Sequence, residues 1–265
     1  MDDRKMILKY QMVPLVLTVV IFFFLSFWIF VHTSILNSFS THKILLELQL
    51  ADILVGATIY LKTSVDFAIF IGGAMSRFPG VRNRIAIEAG TAFGNATGTV
   101  VILTIWNFFR DIQWLLALMI FIAALVLLRM AQDGFEHAGN KQCARLLSHF
   151  NKLVAPFLNK IIPHTSMNSQ AKKLSFRGLF AFSFTVPFIL GLDDFAGYVP
   201  LFNVVHVFGF AIGVLFGHMV LNLLLFISPT KTIALVKNKT IAFIGAVAFV
   251  ILALWGMWEV VHLFI

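Results

Sequence analysis

The stretch Thr63-Ser64-Val65-Asp66-Phe67-Ala68-Ile69-Phe70-Ile71 sets an aspartate inside an apolar run, and Leu190-Gly191-Leu192-Asp193-Asp194-Phe195-Ala196 repeats the arrangement in the second half of the chain. A carboxylate within a membrane-spanning segment is costly, so it faces a protein interior or a water-filled cavity and marks function there. Asp66 lies 11 residues before Arg77, and at 1.5 Å per helical residue that places it about 16 Å deep, near the midplane of a bilayer core. One short motif in both apolar halves predicts a membrane protein built on an internal repeat.

Working outward, the composition fits a bilayer. The 265 residues are 60% hydrophobic and 12% charged, with 30 Phe, about half the charged fraction of a soluble domain. Seven apolar runs are long enough to cross: 12–32, 53–76, 85–109, 113–131, 178–199, 203–228 and 241–264. The first is too long for a cleavable signal and reads as a retained helix. The expected fold is all-α, with seven transmembrane helices: one extra N-terminal helix (residues 1–41 with its flanks), a three-helix repeat over 42–131, a basic loop over 132–177 and a second three-helix repeat over 178–265. In the loop, Leu146, Leu147, Phe150, Leu153, Val154, Phe157 and Leu158 alternate with Arg145, His149, Lys152 and Lys160, the pattern of an amphipathic helix on the membrane surface or a docking site.

The net charge of +8 is dispersed between apolar runs and orients the chain rather than binding nucleic acid. Arg4, Lys5 and Lys9, then Arg77, Arg82 and Arg84, then the long loop, then Lys231, Lys237 and Lys239 all fall on one side, with Lys43 and Arg110 on the other. The expected location is a bacterial-type inner (plasma) membrane, with the N-terminus cytoplasmic and the C-terminus external. Trp28, Trp106, Trp114, Trp255 and Trp258 then sit at the outer ends of spans. The lone Cys143 excludes an intramolecular disulfide.

The second and fifth spans then run in opposite senses, so the two halves form a 3+3 inverted repeat. Each aspartate motif is followed by a glycine helix: Gly90, Gly94 and Gly98 with Asn95, and Gly209, Gly213 and Gly217 with His218. Glycine at every fourth position makes a flat stripe for close helix approach. The register pairs Asn95 with His218, and the ladder also permits a second register one turn away.

Ser64 to Ile71, followed by Arg77-Phe78-Pro79 and Arg82-Asn83-Arg84, resembles the TerC family of integral membrane proteins, within the LysE superfamily of exporters. It is similar to that family's Gly-Ile-Asp-Asn-x-Ile-Phe-Ile, followed by Leu-Pro and an arginine-rich turn. Leu192-Asp193-Asp194 resembles the second-repeat aspartate, and the likeness extends over roughly residues 45–265. The resemblance implies a 3+3 inverted repeat and cation export, with manganese as cargo. The chain departs from the pattern in three places. Phe67 stands where the family has Asn, Tyr60 stands near the place of an upstream glutamate, and Pro187 and Phe188 occupy an upstream acidic region of the second repeat.

The candidate metal ligands are Asp66, Asp194, Asn95 and His218, because carboxylates and amides suit hard divalent cations and imidazole suits transition metals. Asp193, Glu88, Asn222 and Lys62 are candidates for the substrate pathway. Each has a plainer alternative. Lys62, four residues before Asp66, pairs with it on one helix face. Glu88 pairs with Arg84 at the same spacing. Asp193 and Asp194 lie shallow enough for water, unless the span breaks at Gly191 or Gly197. Asn95, His218 and Asn222 make helix–helix hydrogen bonds. Glu47 and Asp52 form a surface turn or a cation vestibule, and His206 meets water.

The expected function is a secondary exporter of a divalent cation by alternating access, with no tightly bound cofactor. Its partners are the lipid bilayer and the transported ion or small solute, with a homo-oligomer left open. The alternatives are an exporter of an organic solute or oxyanion, and a non-transporting membrane assembly factor. No nucleophile–base pair, zinc signature or phosphate loop supports an enzyme.

Overall fold

The structure, a computed structural model, describes residues 3–148, 152, 175–203, 205–236 and 238–265, with side chains except at 3–14, 65, 66, 76, 189–197, 203, 229, 230, 235 and 236. The described residues are helical, without strands: α1 (Asp3–Phe39), α2 (Leu50–Thr63), α3 (Val65–Arg77), α4 (Val81–Phe109), α5 (Gln113–Ala138), α6 (residues 141–148), α7 (Phe176–Gly197), a 3-10 turn (Val199–Asn203), α8 (Val207–Ile227), α9 (Pro229–Val236) and α10 (Lys239–His262). Five helices are long and apolar enough to cross a membrane: α1 from Leu15, α4, α5, α8 and α10. The bent pair α2–α3 makes a sixth if taken as one span. The chain is a multi-pass membrane protein. The fifth expected span, 178–199, corresponds to α7, of which Phe176–Phe188 is a shorter apolar helix. Most of the expected amphipathic helix in the 132–177 loop lies outside the described residues.

Helix ends follow local chemistry. Gly80, at φ 107°, turns the chain into α4, and Gly139, at φ 79°, ends α5 in the left-handed conformation that glycine adopts without penalty. There the Asn140 N–H reaches back to the Phe135 carbonyl at 3.0 Å. Asn238 caps α10 by accepting from the Thr240 and Ile241 amides.

The second expected span is not one helix, which corrects the continuous 53–76 reading. α2 and α3 meet at 69°. The Tyr60 carbonyl accepts from Thr63 Oγ1 at 3.0 Å, from the Ser64 amide at 2.9 Å and from Ser64 Oγ. Such hydroxyls compete with the helical ladder and bend it. Hydropathy does not register this, because the segment stays apolar through the bend.

Three seams hold the bundle: α4 on α7, α5 on α10 and α2 on α8. Each joins a helix of residues 42–131 to one of 178–265. Lipid tails are as apolar as the helix faces, so close packing rather than the hydrophobic effect drives such contacts. Glycine permits the closest approach. A Cβ on Gly94 would collide with the Phe184 carbonyl, and one on Gly213 with the Ile53 carbonyl. Contacts also fix relative direction. Gly90 meets Phe180 and Gly94 meets Phe184 and Phe188, so α4 and α7 run parallel. Gly213 meets Ile53 and Gly217 meets Ala57, so α2 and α8 run parallel. Phe135 beside Phe243 and Ile120 beside Gly256 make α5 and α10 antiparallel.

α1 lies across α4 and α8. One stripe, Thr18, Ile21, Leu25, Ile29, Thr33 and Leu36, is buried, while Phe23 and Phe27 are about two-thirds exposed at 66% and 65%, as for a helix with one face to lipid.

Candidate functional site

The bend between α2 and α3 is the centre of a buried polar and aromatic cluster. Tyr60, in the last turn of α2, and Phe67, early in α3, flank His218 of α8. Their ring centroids lie 5.8 Å apart, and 5.6 Å and 6.0 Å from the imidazole. The Tyr60 hydroxyl and His218 Nδ1 share a 2.6 Å hydrogen bond. His218 is fully buried and its Nε2 has no partner. Asn222, one turn on, is also buried, with both amide atoms unpartnered. A buried polar group without a partner costs about 1–3 kcal/mol, so both point to a ligand, a water or a second conformation.

Tyr198 ties α7 to the same bend. It follows the end of α7, is fully buried, and donates from its hydroxyl to Thr63 Oγ1 at 2.6 Å. Thr63 stands three residues before Asp66, and Tyr198 four residues after Asp194. The chain segments bearing the two aspartates therefore approach each other, although the side chains of Asp66, Asp193 and Asp194 lie outside the described residues. The helix backbone runs through Gly191 and ends at Gly197. Pro187 lies inside α7 and leaves the Ser183 carbonyl without its ladder donor. The Ser183 hydroxyl is buried against Gly90 and unpartnered.

Asn95 belongs to the other seam. It is buried beside Gly94, its Nδ2 has no partner, and it makes no bond to His218. Among the described residues no three His, Cys, Asp or Glu side chains gather as a metal site.

Of the local pairings expected from spacing, Glu88–Arg84 is replaced by longer-range contacts, and the Asp66 end of Lys62–Asp66 lies outside the described side chains. Lys62 and Asp66 do not share one unbroken helix, because the 69° bend falls between them. Lys62 is half-buried, with its stem near Gly245 of α10. Glu88 does not pair with Arg84. It is 4% exposed and accepts a hydrogen bond from Thr18 Oγ1 of α1, while the Arg84 guanidinium lies 4.9 Å from the centre of the Phe226 ring. Asp52 is no surface residue: it is buried, and its carboxylate meets His206 Nδ1 at 2.9 Å. Glu47 is exposed. At that end His42 meets Asp111 at 2.9 Å, and Arg110 donates to Ser40 Oγ at 3.2 Å over the Trp106 ring. Partial burial lowers the Arg110 pKa, and the Asp111 carboxylate opposes it.

The sequence reading missed Tyr198, Thr63 and Thr18, and took Tyr60 only as a departure from a pattern. One signal was available: Tyr60 and Tyr198 are two of only three tyrosines in a chain with 30 Phe, and each stands within six residues of an intramembrane aspartate. Thr18 carried no such mark, since its partner is 70 residues away.

Comparison with protein-family models, with curated proteins and with solved structures gives no match to this chain.

Proposed function

We propose that the chain is a secondary exporter of a divalent cation such as manganese, working by alternating access of two inverted three-helix repeats: α2–α3, α4 and α5, then α7, α8 and α10. One observation carries the reading. Aligning Asp66 with Asp194 places Phe184 on Gly56 and Phe188 on Tyr60. Phe184 and Phe188 are the α7 residues against Gly94, and Ala57 and Tyr60 are the α2 residues against Gly217. The two seams thus meet in equivalent registers, within one residue, through glycines that precede Asn95 and His218. Helix directions agree: α4 and α8 run oppositely, since α1 is parallel to one (Phe24 beside Phe93, His32 bonded to Thr104) and antiparallel to the other (Phe22 beside Phe216, Phe30 beside Phe208).

In this reading α3 and α7 bring Asp66 and Asp194 to the bend at Thr63. Discontinuous helices at mid-membrane are the usual way transporters expose ligating groups. When His218 donates its Nδ1–H to the Tyr60 oxygen in a hydrogen bond, its Nε2 lone pair is left for a cation. Asp66, Asp194, Asn95 and His218 then supply carboxylate, amide and imidazole donors. Arg77, Arg82, Arg84 and Arg177 share the end opposite Trp106, Trp114 and Trp258, which favours a cytoplasmic N-terminus in an inner membrane.

Expression of Asp66→Asn and Asp194→Asn in a manganese-sensitive host tests the proposal. The expected result is loss of metal tolerance and raised cellular manganese; unchanged tolerance at normal protein levels contradicts it. The aromatic walls of the bend (Tyr60, Phe67 and Tyr198) favour a second reading, export of an organic solute or oxyanion. Solute flux without manganese flux in vesicles would select it.

A further inference from the structure

We propose that Glu88 is the proton-binding site that couples this exporter to the proton gradient, with Thr18 of α1 as its switching partner. The inference rests on the exporter reading above. α1 lies outside the repeats, yet it delivers a hydroxyl to the buried carboxyl of α4. No ion pair involves Glu88 among the described residues.

Among the described side chains, the charged and titratable groups on the elements packed against α4 are engaged or placed elsewhere. On α4 itself, Arg82 and Arg84 lie over the rings of Phe176 and Phe226. On α1, whose side chains are described from Leu15 on, the group is His32, which bonds Thr104, four turns away. On α8, His218 bonds Tyr60. On α7, the described groups reduce to the exposed Arg177, and on α3 to the exposed Arg77. On α5, Arg129, Asp133, Glu136 and His137 occupy the last turns, and His137 bonds the Asp133 carbonyl.

Depth places Glu88 where coupling would need it. Thr18 beside Glu88 and Phe22 beside Phe216 put the carboxyl level with α8 near Val220, within a turn of His218 and Asn222. A buried carboxylate with no cation is expensive, and binding a proton neutralises it. A threonine hydroxyl suits both states: it donates to the carboxylate and accepts from the acid. In the cycle, Glu88 takes a proton from the side of low pH, forming one O–H bond. It releases the proton on the other side as the divalent cation crosses the opposite way.

The test uses the full chain in proteoliposomes, with manganese alone as cargo and a pH dye inside. Wild type should move manganese against a proton counterflow. Glu88→Gln should lose accumulation driven by the pH gradient and lose the counterflow, while manganese–manganese exchange persists; Glu88→Asp should keep all three. Glu88→Gln with wild-type counterflow overturns the proposal. Wild-type manganese flux without counterflow overturns it and leaves the exporter reading standing. No wild-type flux in either mode removes both. Should Glu88→Gln fail to fold, Thr18→Val decides by infrared spectroscopy. A protonated-carboxyl band that shifts in Thr18→Val supports the proposal, and its absence or indifference to Thr18→Val overturns it.

Discussion

The α2·α8 and α4·α7 seams are built alike and finished differently. Both bring a glycine stripe against a neighbouring backbone, with Gly213 on Ile53 and Gly94 on Phe184. In the first, a tyrosine hydroxyl reaches into the seam and binds His218. In the second, the aligned position is Phe188, part of a stacked Phe180–Phe184–Phe188 ladder, and Asn95 keeps an unpartnered amide. The helices differ too. α2 ends at Thr63, where hydroxyls capture the Tyr60 carbonyl, whereas α7 continues through Pro187 to Gly197. Packing is therefore shared by the halves and polar chemistry is not. If the halves move against each other, the α2·α8 seam holds one more specific bond to break.

The largest effect should come from removing what the seams share. Gly94→Val and Gly213→Val force a side chain onto backbone that cannot yield, costing at least the upper end of the roughly 1–3 kcal/mol typical of overpacking. Thermal unfolding in detergent should show both variants lowered alike, and a deficit in only one would break the equivalence of the seams. Next comes what they do not share. Tyr60→Phe leaves both nitrogens of a buried imidazole unpartnered, at a cost of about 1–3 kcal/mol, whereas Phe188→Leu should cost less than about 1.5 kcal/mol as an apolar exchange. Equal losses would mean that the Tyr60–His218 bond contributes nothing special. Tyr198→Phe removes the tie to Thr63 and should cost about 0.5–1.5 kcal/mol, read from the same melting curves. Least affected should be Gly245→Ala, where a new Cβ would meet only the Lys62 stem at 3.9 Å; a large loss there would put Lys62 in a tighter site than the one described.

Much of this architecture could be read from the chain. The apolar runs became α1, α4, α5, α8 and α10, and the glycine ladders pointed to the faces that pack. Periodicity carries that information because each helix satisfies its own backbone. The bend at Thr63-Ser64 escaped, since hydropathy does not detect two hydroxyls competing for one carbonyl. The expected Lys62–Asp66 and Glu88–Arg84 pairs came from i,i+4 spacing. That rule fails where a partner arrives from another helix, as Thr18 does for Glu88 and Phe226 for Arg84. His218, Asn222 and Asn95 were legible as buried polar residues, but the Tyr60–His218 bond joins positions 158 residues apart, which spacing within one helix does not reveal.

Cation export through the bend requires Asp66 and Asp194 to face each other there. That arrangement is tested by cross-linking Asp66→Cys/Asp194→Cys after Cys143→Ala removes the chain's only thiol. A disulfide requires Cα atoms within about 7 Å, and cadmium bridges slightly wider pairs. Rapid cross-linking or cadmium protection in native membranes, lost on denaturation, is the predicted result. Failure of this pair, while Thr63→Cys/Tyr198→Cys cross-links in the same membranes, would contradict cation export through the bend.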